Sequence, residues 1–152
     1  MRPRHKAREV ALRILLQLEA APGEWADSLE YQANEEGLSR SATEFAAELV
    51  EGVSGHRAAI DESLEAAAQR WRLDQMGSPE RAVLRLAAEE LVFRRQEPVA
   101  VVIDEAVRLA KEMSGPEAGA FVNGVLGRVA VVVGAEASAR AGRNSGANPP
   151  GR

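Results

Sequence analysis

Apolar residues recur every three or four positions along most of the chain, a spacing that places them on one face of an α-helix. The first stripe lies between residues 7 and 18 and ends before Ala21-Pro22-Gly23, a helix-terminating signal. Six further segments repeat the spacing, at about 25–36, 41–53, 56–71, 78–97, 99–113 and 116–133. The valine-rich end of the last segment has no second strand-like segment to pair with. The sequence therefore predicts an all-α protein of about seven helices with short connections.

Four positions within these segments suggest tertiary contacts. The fourth stripe ends in Trp71, which shares its face with the apolar residues of that segment and is expected in the core. Gly124 follows Asn123 inside an apolar helical run, where Gly costs about 1 kcal/mol relative to Ala. We therefore expect a close approach of two helices at Gly124 and a hydrogen-bonded Asn123. Phe121 is compatible with a core position and with a semi-exposed ring for base stacking.

The composition fits one folded domain followed by a tail. Of the 152 residues, 45% are hydrophobic, which suits a domain with a proper core. Beyond Gly134 the sequence shifts to Ala, Gly, Ser, Asn, Pro and Arg, so residues 1–134 are predicted to fold and residues 135–152 to be disordered. No apolar run approaches the roughly 20 residues that span a bilayer, and no secretory signal is recognisable. We expect a cytoplasmic protein without membrane association.

Motifs that carry catalytic chemistry are scarce. The absence of cysteine excludes disulfides, thiolate zinc sites and a cysteine nucleophile. His5 and His56 stand in unrelated contexts, and neither belongs to a metal-binding helical pair. Adjacent acids such as Glu89-Glu90 point to different sides of a helix, which makes a poor acid–base pair. We therefore expect no catalytic residues, no metal site and no cofactor, and the chain is predicted not to be an enzyme.

Charge is distributed unevenly along the chain. The formal net charge is −4, yet residues 1–13 carry five Arg or Lys against one acid, and residues 19–62 carry eleven acids against two Arg. A basic tip on a buried helix presents charge rigidly, which favours binding of phosphates. A solvated, disordered arm explains the same residues equally well when they are considered alone. The acidic stretch is either an ordinary solvated surface or a face for a basic protein partner.

Several blocks of sequence together resemble one known family. The opening Ala7-Arg8-Glu9-Val10-Ala11-Leu12-Arg13 after a basic arm, the Arg81–Leu91 segment, the Pro98–Lys111 segment and Phe121-Val122-Asn123-Gly124-Val125-Leu126 are similar to blocks of the NusB family of bacterial transcription antitermination factors. The resemblance covers about residues 4–133. It implies seven helices in two roughly perpendicular subdomains. It also implies a complex with NusE that binds single-stranded boxA RNA and acts with the transcription elongation complex, notably in ribosomal RNA operons.

The resemblance also implies site residues. By position, RNA contacts would fall on residues of the arm and of the start of the last helix, and NusE contacts near the charged surface of the fifth helix. The RNA-binding residues implied are Arg4, Lys6, Arg8, Glu9, Glu117 and Phe121, and the protein-partner residues implied are Arg81, Arg85 and Glu89.

The sequence departs from the family pattern at three places. Leu15-Leu16 stands where members often have Leu-Tyr, Glu89-Glu90 where they often have Tyr-Glu, and Gly127-Arg128 where an Asp is common. Arg128 is closer to a related use of the fold, the RNA-binding domain of ribosomal RNA cytosine methyltransferases. A freestanding domain of that kind is one alternative. A helical protein-interaction module that uses the acidic 19–62 region, also as a homodimer, is another.

Overall fold

The structure, a computed structural model, describes residues 3–147. Within this range the chain forms helices and no strand, which confirms the predicted all-α class. The helices are α1 (Pro3–Ala20), α2 (Ala26–Glu35), α3 (Arg40–Gly55), α4 (Arg57–Ala68), α5 (Ser78–Ala88), α6 (Val99–Ser114) and α7 (Pro116–Ala147). A short 3₁₀ turn at Leu73–Gln75 precedes α5, and a π-helical stretch at Glu89–Arg94 continues it.

The helix ends follow from local sequence chemistry. The Ser39 hydroxyl accepts the backbone N–H of Ala42 at 3.1 Å and so caps the start of α3. Gly115 separates α6 from α7 with a φ of 94°, a region where a side chain would be strained. Pro79 lies in the first turn of α5, where its missing N–H is not needed. These signals position the connections close to where the sequence predicts them.

Helix α5 is the centre of the molecule. It contacts α1, α3, α4, α6 and α7, and every side chain from Ala82 to Ala88 is buried. Helices α1, α2 and α3 pack on one another, whereas α6 packs most extensively on α7. The two groups meet at α5, which agrees with two helical subdomains; their perpendicular arrangement stays a prediction.

Two predicted core contacts are wrong. Helix α4 ends at Ala68, and Trp71 lies beyond it with 51% of its surface exposed. Gly124 has no atom of a neighbouring helix within 4 Å of where a Cβ would stand, and Asn123 is exposed. Helix α7 therefore does not need Gly124 for close packing. Its buried face consists of Ala118, Val122, Val125, Leu126 and Val129.

Helix α7 continues beyond its predicted end. Residues 135–147 were expected to be disordered, but the helix runs to Ala147, because the alternating alanines from Ala135 have high helix propensity. Residues 148–152 lie outside the described range, and the domain boundary at 134 stays a prediction. The segment Pro116–Gly142 is long and apolar enough to cross a membrane, contrary to expectation. A third of its most apolar window is buried in the protein, so core packing accounts for part of that apolar character.

Candidate nucleic-acid interface

The basic arm is the first turn of α1 rather than a loose tail. Arg4 keeps 46% of its side chain exposed, and its guanidinium donates to Glu97 at 2.6 Å. The same guanidinium lies 4.1 Å from the centre of the Phe45 ring, a cation–π contact. Arg2 lies outside the described residues. Arg4 therefore presents a cation at the surface from a defined position.

Lys6 and Glu9 form a second, partly exposed part of the arm. The Lys6 ammonium lies 3.2 Å from Glu36 and 3.7 Å from Glu9. The hydrogen bond to Glu36 is the largest cause of a raised pKa at Lys6, so Lys6 stays charged at neutral pH. Because solvent reaches these partly exposed ion pairs, each is worth little, and a phosphate can replace a carboxylate at small cost.

Arg8 does not lie at the surface, contrary to the expectation of RNA contact. Its side chain is 4% exposed, and its Nε and Nη2 atoms both donate to the Glu90 carboxylate at 2.7 Å. Burial lowers the pKa of Arg8, but the hydrogen bonds and charge of Glu90 outweigh this effect and raise it. The sequence held a signal for this position. Ala11, Leu12 and Leu15 follow Arg8 at helical spacings of three, four and seven, which places Arg8 beside the apolar stripe.

The arm lies against α6, and its residues His5 and Glu9 come close to the end of that helix at Glu112. His5 Nδ1 lies 2.6 Å from the Glu105 carboxylate, and Nε2 lies 3.2 Å from Glu9. Ligand atoms of His5, Glu9 and Glu112 all lie within 4.8 Å of one another. Glu112 precedes the first residue of α7, Pro116, by four positions. Three such groups could hold a metal ion, but the absence of a resident metal stays a prediction.

The two predicted residues of α7 line a surface groove. Glu117 is exposed in the first turn, and Phe121 is half-buried. The Phe121 and Trp71 rings meet edge to face, with ring centres 6.3 Å apart and an interplanar angle of 82°. Residues of the α4–α5 connection and of α5 complete the groove, and among them is the carboxylate of Glu80. Sequence reasoning missed Trp71, because its spacing matches a core position.

The predicted partner residues Arg81 and Arg85 are engaged inside the fold. Arg81 donates to Glu19 at 2.9 and 2.5 Å and to the carbonyls of Leu73 and Met76. Arg85 is 7% exposed and its guanidinium forms two bonds to Asp61. The hydrogen bond from Arg81 lowers the pKa of Glu19 to about 2. These arginines tie α1 and α4 to α5, so the expectation of an exposed charged surface there is wrong.

Glu89 is also buried, at 3% exposure. Its carboxylate lies 2.8 Å from His56 Nδ1, and burial is the largest cause of its raised pKa. The His56 ring stacks on Phe93 with centres 3.8 Å apart. Gly52 provides the space for the carboxylate, because a Cβ at Gly52 would overlap it. Glu89 therefore fills an internal position next to the π-helical stretch.

Arg128, one of the residues at which the sequence departs from the family pattern, makes a contact within the fold. Its Nε donates to the backbone carbonyl of Ala67, in the last turn of α4. A carbonyl there has no helical partner of its own. Arg128 thus ties α7 to the end of α4, immediately before the connection that carries Trp71.

Comparisons with known sequences and structures agree with this geometry. The sequence profile of the NusB family matches residues 5–131. The transcription antitermination protein NusB of Myxococcus xanthus is 47% identical over 137 residues, covering 88% of this chain and 98% of that protein. The protein of the same name from Anaeromyxobacter dehalogenans strain 2CP-1 is 45% identical over 128 residues, covering 84% and 89%.

Solved structures show the same fold. NusB of T. maritima superimposes with a TM-score of 0.77 at 32% identity, covering 85% of this chain and 91% of that one. A chain from a crystal structure of the antitermination factors NusB and NusE in complex with dsRNA superimposes with a TM-score of 0.78 at 29% identity, covering 87% and 98%.

Proposed function

The chain belongs to the NusB family, and from this premise we propose that it is a transcription antitermination factor that binds boxA-type single-stranded RNA together with NusE. The family assignment agrees with the prediction that it is not an enzyme. One structural observation supports RNA binding most directly. In the first turn of α1, Arg4 is exposed and Lys6 is partly exposed, and their neighbours His5 and Glu9 lie close to Glu112 near the end of α6, which leads into the start of α7 and its half-exposed Phe121.

The proposed role of each site residue follows from the exposure of its side chain and of its present partner. Arg4 and Lys6 pair with phosphates, since their present partners are partly exposed carboxylates that solvent still reaches and screens. Glu9 holds the Lys6 ammonium in place, and Phe121 stacks on a base that a single strand leaves unpaired. Glu117 lines the same groove, where its carboxylate can accept hydrogen bonds from base amino groups.

Arg8 supports binding indirectly. Its two bonds to Glu90 fix α1 against the end of the fifth helix, so the first turn of α1 has one orientation. A rigid platform loses less conformational entropy when RNA binds than a flexible arm does. In this proposal Arg8 is a positioning residue, and Arg4 and Lys6 carry the contacts.

NusE is the proposed protein partner, since the family resemblance implies it and a related NusB has been crystallised with it. Arg81, Arg85 and Glu89 act on this partner through the fold, because they hold α1, α4 and α5 in place. The exposed acids of α2 and α3 offer a complementary surface to a basic protein. We place the complex in the cytoplasm, on the elongation complex of ribosomal RNA operons.

The test is fluorescence anisotropy with a labelled boxA RNA and a scrambled RNA of equal length, with and without NusE. We expect boxA RNA to bind more tightly than the scrambled RNA, and NusE to increase the preference. Equal binding of both RNAs in the presence of NusE would contradict the proposal. A chain that binds NusE but neither RNA would favour the protein-interaction alternative, and self-association of the chain alone would identify its homodimer form.

A further inference from the structure

The connection between α4 and α5 begins with a strained turn. Gln69 has φ 62° and ψ −75°, and the backbone N–H of Arg70 donates to the Ala68 carbonyl at 2.6 Å. These values define a γ-turn with positive φ, a rare and strained conformation for a residue with a side chain. Arg128 holds the preceding carbonyl of Ala67 from α7, so the turn is fixed on two sides. Because strained turns that the surrounding fold maintains cluster at functional sites, the residues that follow this turn are candidates for a function.

The turn presents an aromatic side chain between two cations. Arg70, Trp71 and Arg72 follow it directly, and all three are exposed. Trp71 leaves 51% of its surface in solvent, although tryptophan gains more from burial than most residues. Arg72 pairs with Asp74 at 3.2 Å, and their side chains are 74% and 67% exposed. This pair is therefore weak and readily exchanged for a phosphate.

The groove lies beside two aromatic rings that touch each other. Trp71 and Phe121 both line it, and their rings meet edge to face with centres 6.3 Å apart. The groove has a volume of about 230 Å³, and Met76 and Ala118 also line it. Glu80 and Glu117 line it as well, so a phosphate inside the groove would meet two negative charges. Because the two rings are in contact, a flat, uncharged base would lie against the exposed Trp71 indole rather than between the rings, and the phosphates on either side of it would be drawn to Arg70 and Arg72.

We propose that the groove lined by Trp71 and Phe121 is a binding subsite for one unpaired RNA base, which stacks on the exposed Trp71 indole, and that Arg70 and Arg72 pair with the phosphates flanking that base. The subsite deepens the proposed RNA-binding function and rests on it. It extends the interface from the arm, through the shared residue Phe121, to the α4–α5 connection. Trp71 is then the principal stacking residue, since its face is the more exposed of the two rings.

Tryptophan fluorescence tests the subsite directly. The chain has two tryptophans, so Trp25→Phe leaves Trp71 as the single reporter. We expect addition of boxA RNA to quench the Trp71 emission. Trp71→Ala should weaken RNA binding about fivefold or more, and Trp71→Phe, which keeps an aromatic ring, should weaken it less. Arg70→Ala and Arg72→Ala should each reduce the slope of log affinity against log salt by about 0.7.

Two controls keep the outcomes separate. Trp71→Ala should melt at nearly the wild-type temperature, because the ring is half exposed, so loss of affinity cannot be assigned to unfolding. Suppose that wild type binds RNA through Arg4 and Lys6, that Trp71→Ala binds RNA equally well, and that RNA leaves the Trp71 emission unchanged. These results would refute the subsite and leave the proposed function standing. Loss of NusE binding alone in Trp71→Ala would also refute it. Failure of wild type to bind RNA refutes both.

Discussion

The buried ion pair between Arg8 and Glu90 distinguishes a positioning role of Arg8 from direct RNA contact. Both side chains are 4% exposed and joined by two hydrogen bonds of 2.7 Å. Arg8→Met keeps most of the side-chain volume but leaves the Glu90 carboxylate buried without its cation. Removing one partner of a buried pair costs about 3–5 kcal/mol. In a domain of this size, that loss lowers Tm by about 6–20 °C.

Urea unfolding followed by circular dichroism measures this cost, and the partner substitution provides the matched control. Glu90→Gln should destabilise the protein by a similar amount, because it leaves the Arg8 guanidinium without a charged partner. Arg8→Met combined with Glu90→Leu should recover most of the lost stability, since an apolar pair of similar volume replaces a buried ion pair at little or no cost. With the Glu90→Leu single variant measured as well, the double-mutant cycle closes, and the coupling energy of the pair is the summed cost of the two single variants minus the cost of the double variant.

RNA affinity provides the second readout. At a temperature where the double variant is folded, its affinity for boxA RNA should stay within about threefold of wild type, because Arg8 touches no RNA in this account. An Arg8→Met protein that unfolds within 1 kcal/mol of wild type and has lost tight RNA binding would refute the positioning role. Such a result would return Arg8 to the set of RNA contacts.

Three further predictions follow from the packing. Glu19 has a pKa of about 2 in the fold, below its unfolded value, so it contributes stability above about pH 4.5 that is lost as the pH falls toward 2. Glu19→Gln should remove about 1–2 kcal/mol of this pH-dependent stability, measured by urea titrations at several pH values. Acid destabilisation that is the same in wild type and in Glu19→Gln would contradict the Arg81 contact. Gly52→Ala should destabilise the protein by about 1–3 kcal/mol, because the added Cβ overlaps the Glu89 carboxylate. Gly55→Ala, in open space on the same helix, should be neutral or stabilising in the same urea titration. Equal effects of the two substitutions would argue against the overlap. Ending the chain after Gly134 should leave Tm within about 2 °C in a thermal melt, because residues 135–142 are exposed, and a large drop would place residues beyond 134 in the folding unit.

Hydrophobic periodicity predicted the helices because most of the core is apolar. The stripe of α1 is buried as expected at Ala7, Val10, Ala11 and Ile14. Helix α5 was harder to predict, since it is buried on all sides from Ala82 to Ala88 and yet contains Arg85, and the π-helical stretch that continues it contains the buried Glu89 and Glu90. A charged residue in a sequence indicates an exposed position, unless the oppositely charged residue that pairs with it inside the fold is known.

Those partners lie far away along the chain. Asp61 precedes Arg85 by 24 positions, His56 precedes Glu89 by 33, and Arg8 precedes Glu90 by 82. No local pattern links such residues, so the internal charge network could be identified only from the fold. Trp71 was predicted to be buried because of its helical spacing along the fourth segment. The turn at Gln69 redirects the chain before the indole reaches the core.

The central claim is that exposed cations at the start of α1 contact the phosphates of boxA RNA. It is tested most directly by the salt dependence of RNA affinity in the presence of NusE, for wild type, for Arg4→Ala with Lys6→Ala, and for Arg140→Ala. Arg140 is an exposed control about 36 Å along α7 from its first turn. We predict that the double variant reduces the slope of log affinity against log salt by about 1.4, and that Arg140→Ala leaves it unchanged. An unchanged slope in the double variant, or an equal reduction in Arg140→Ala, would contradict the account.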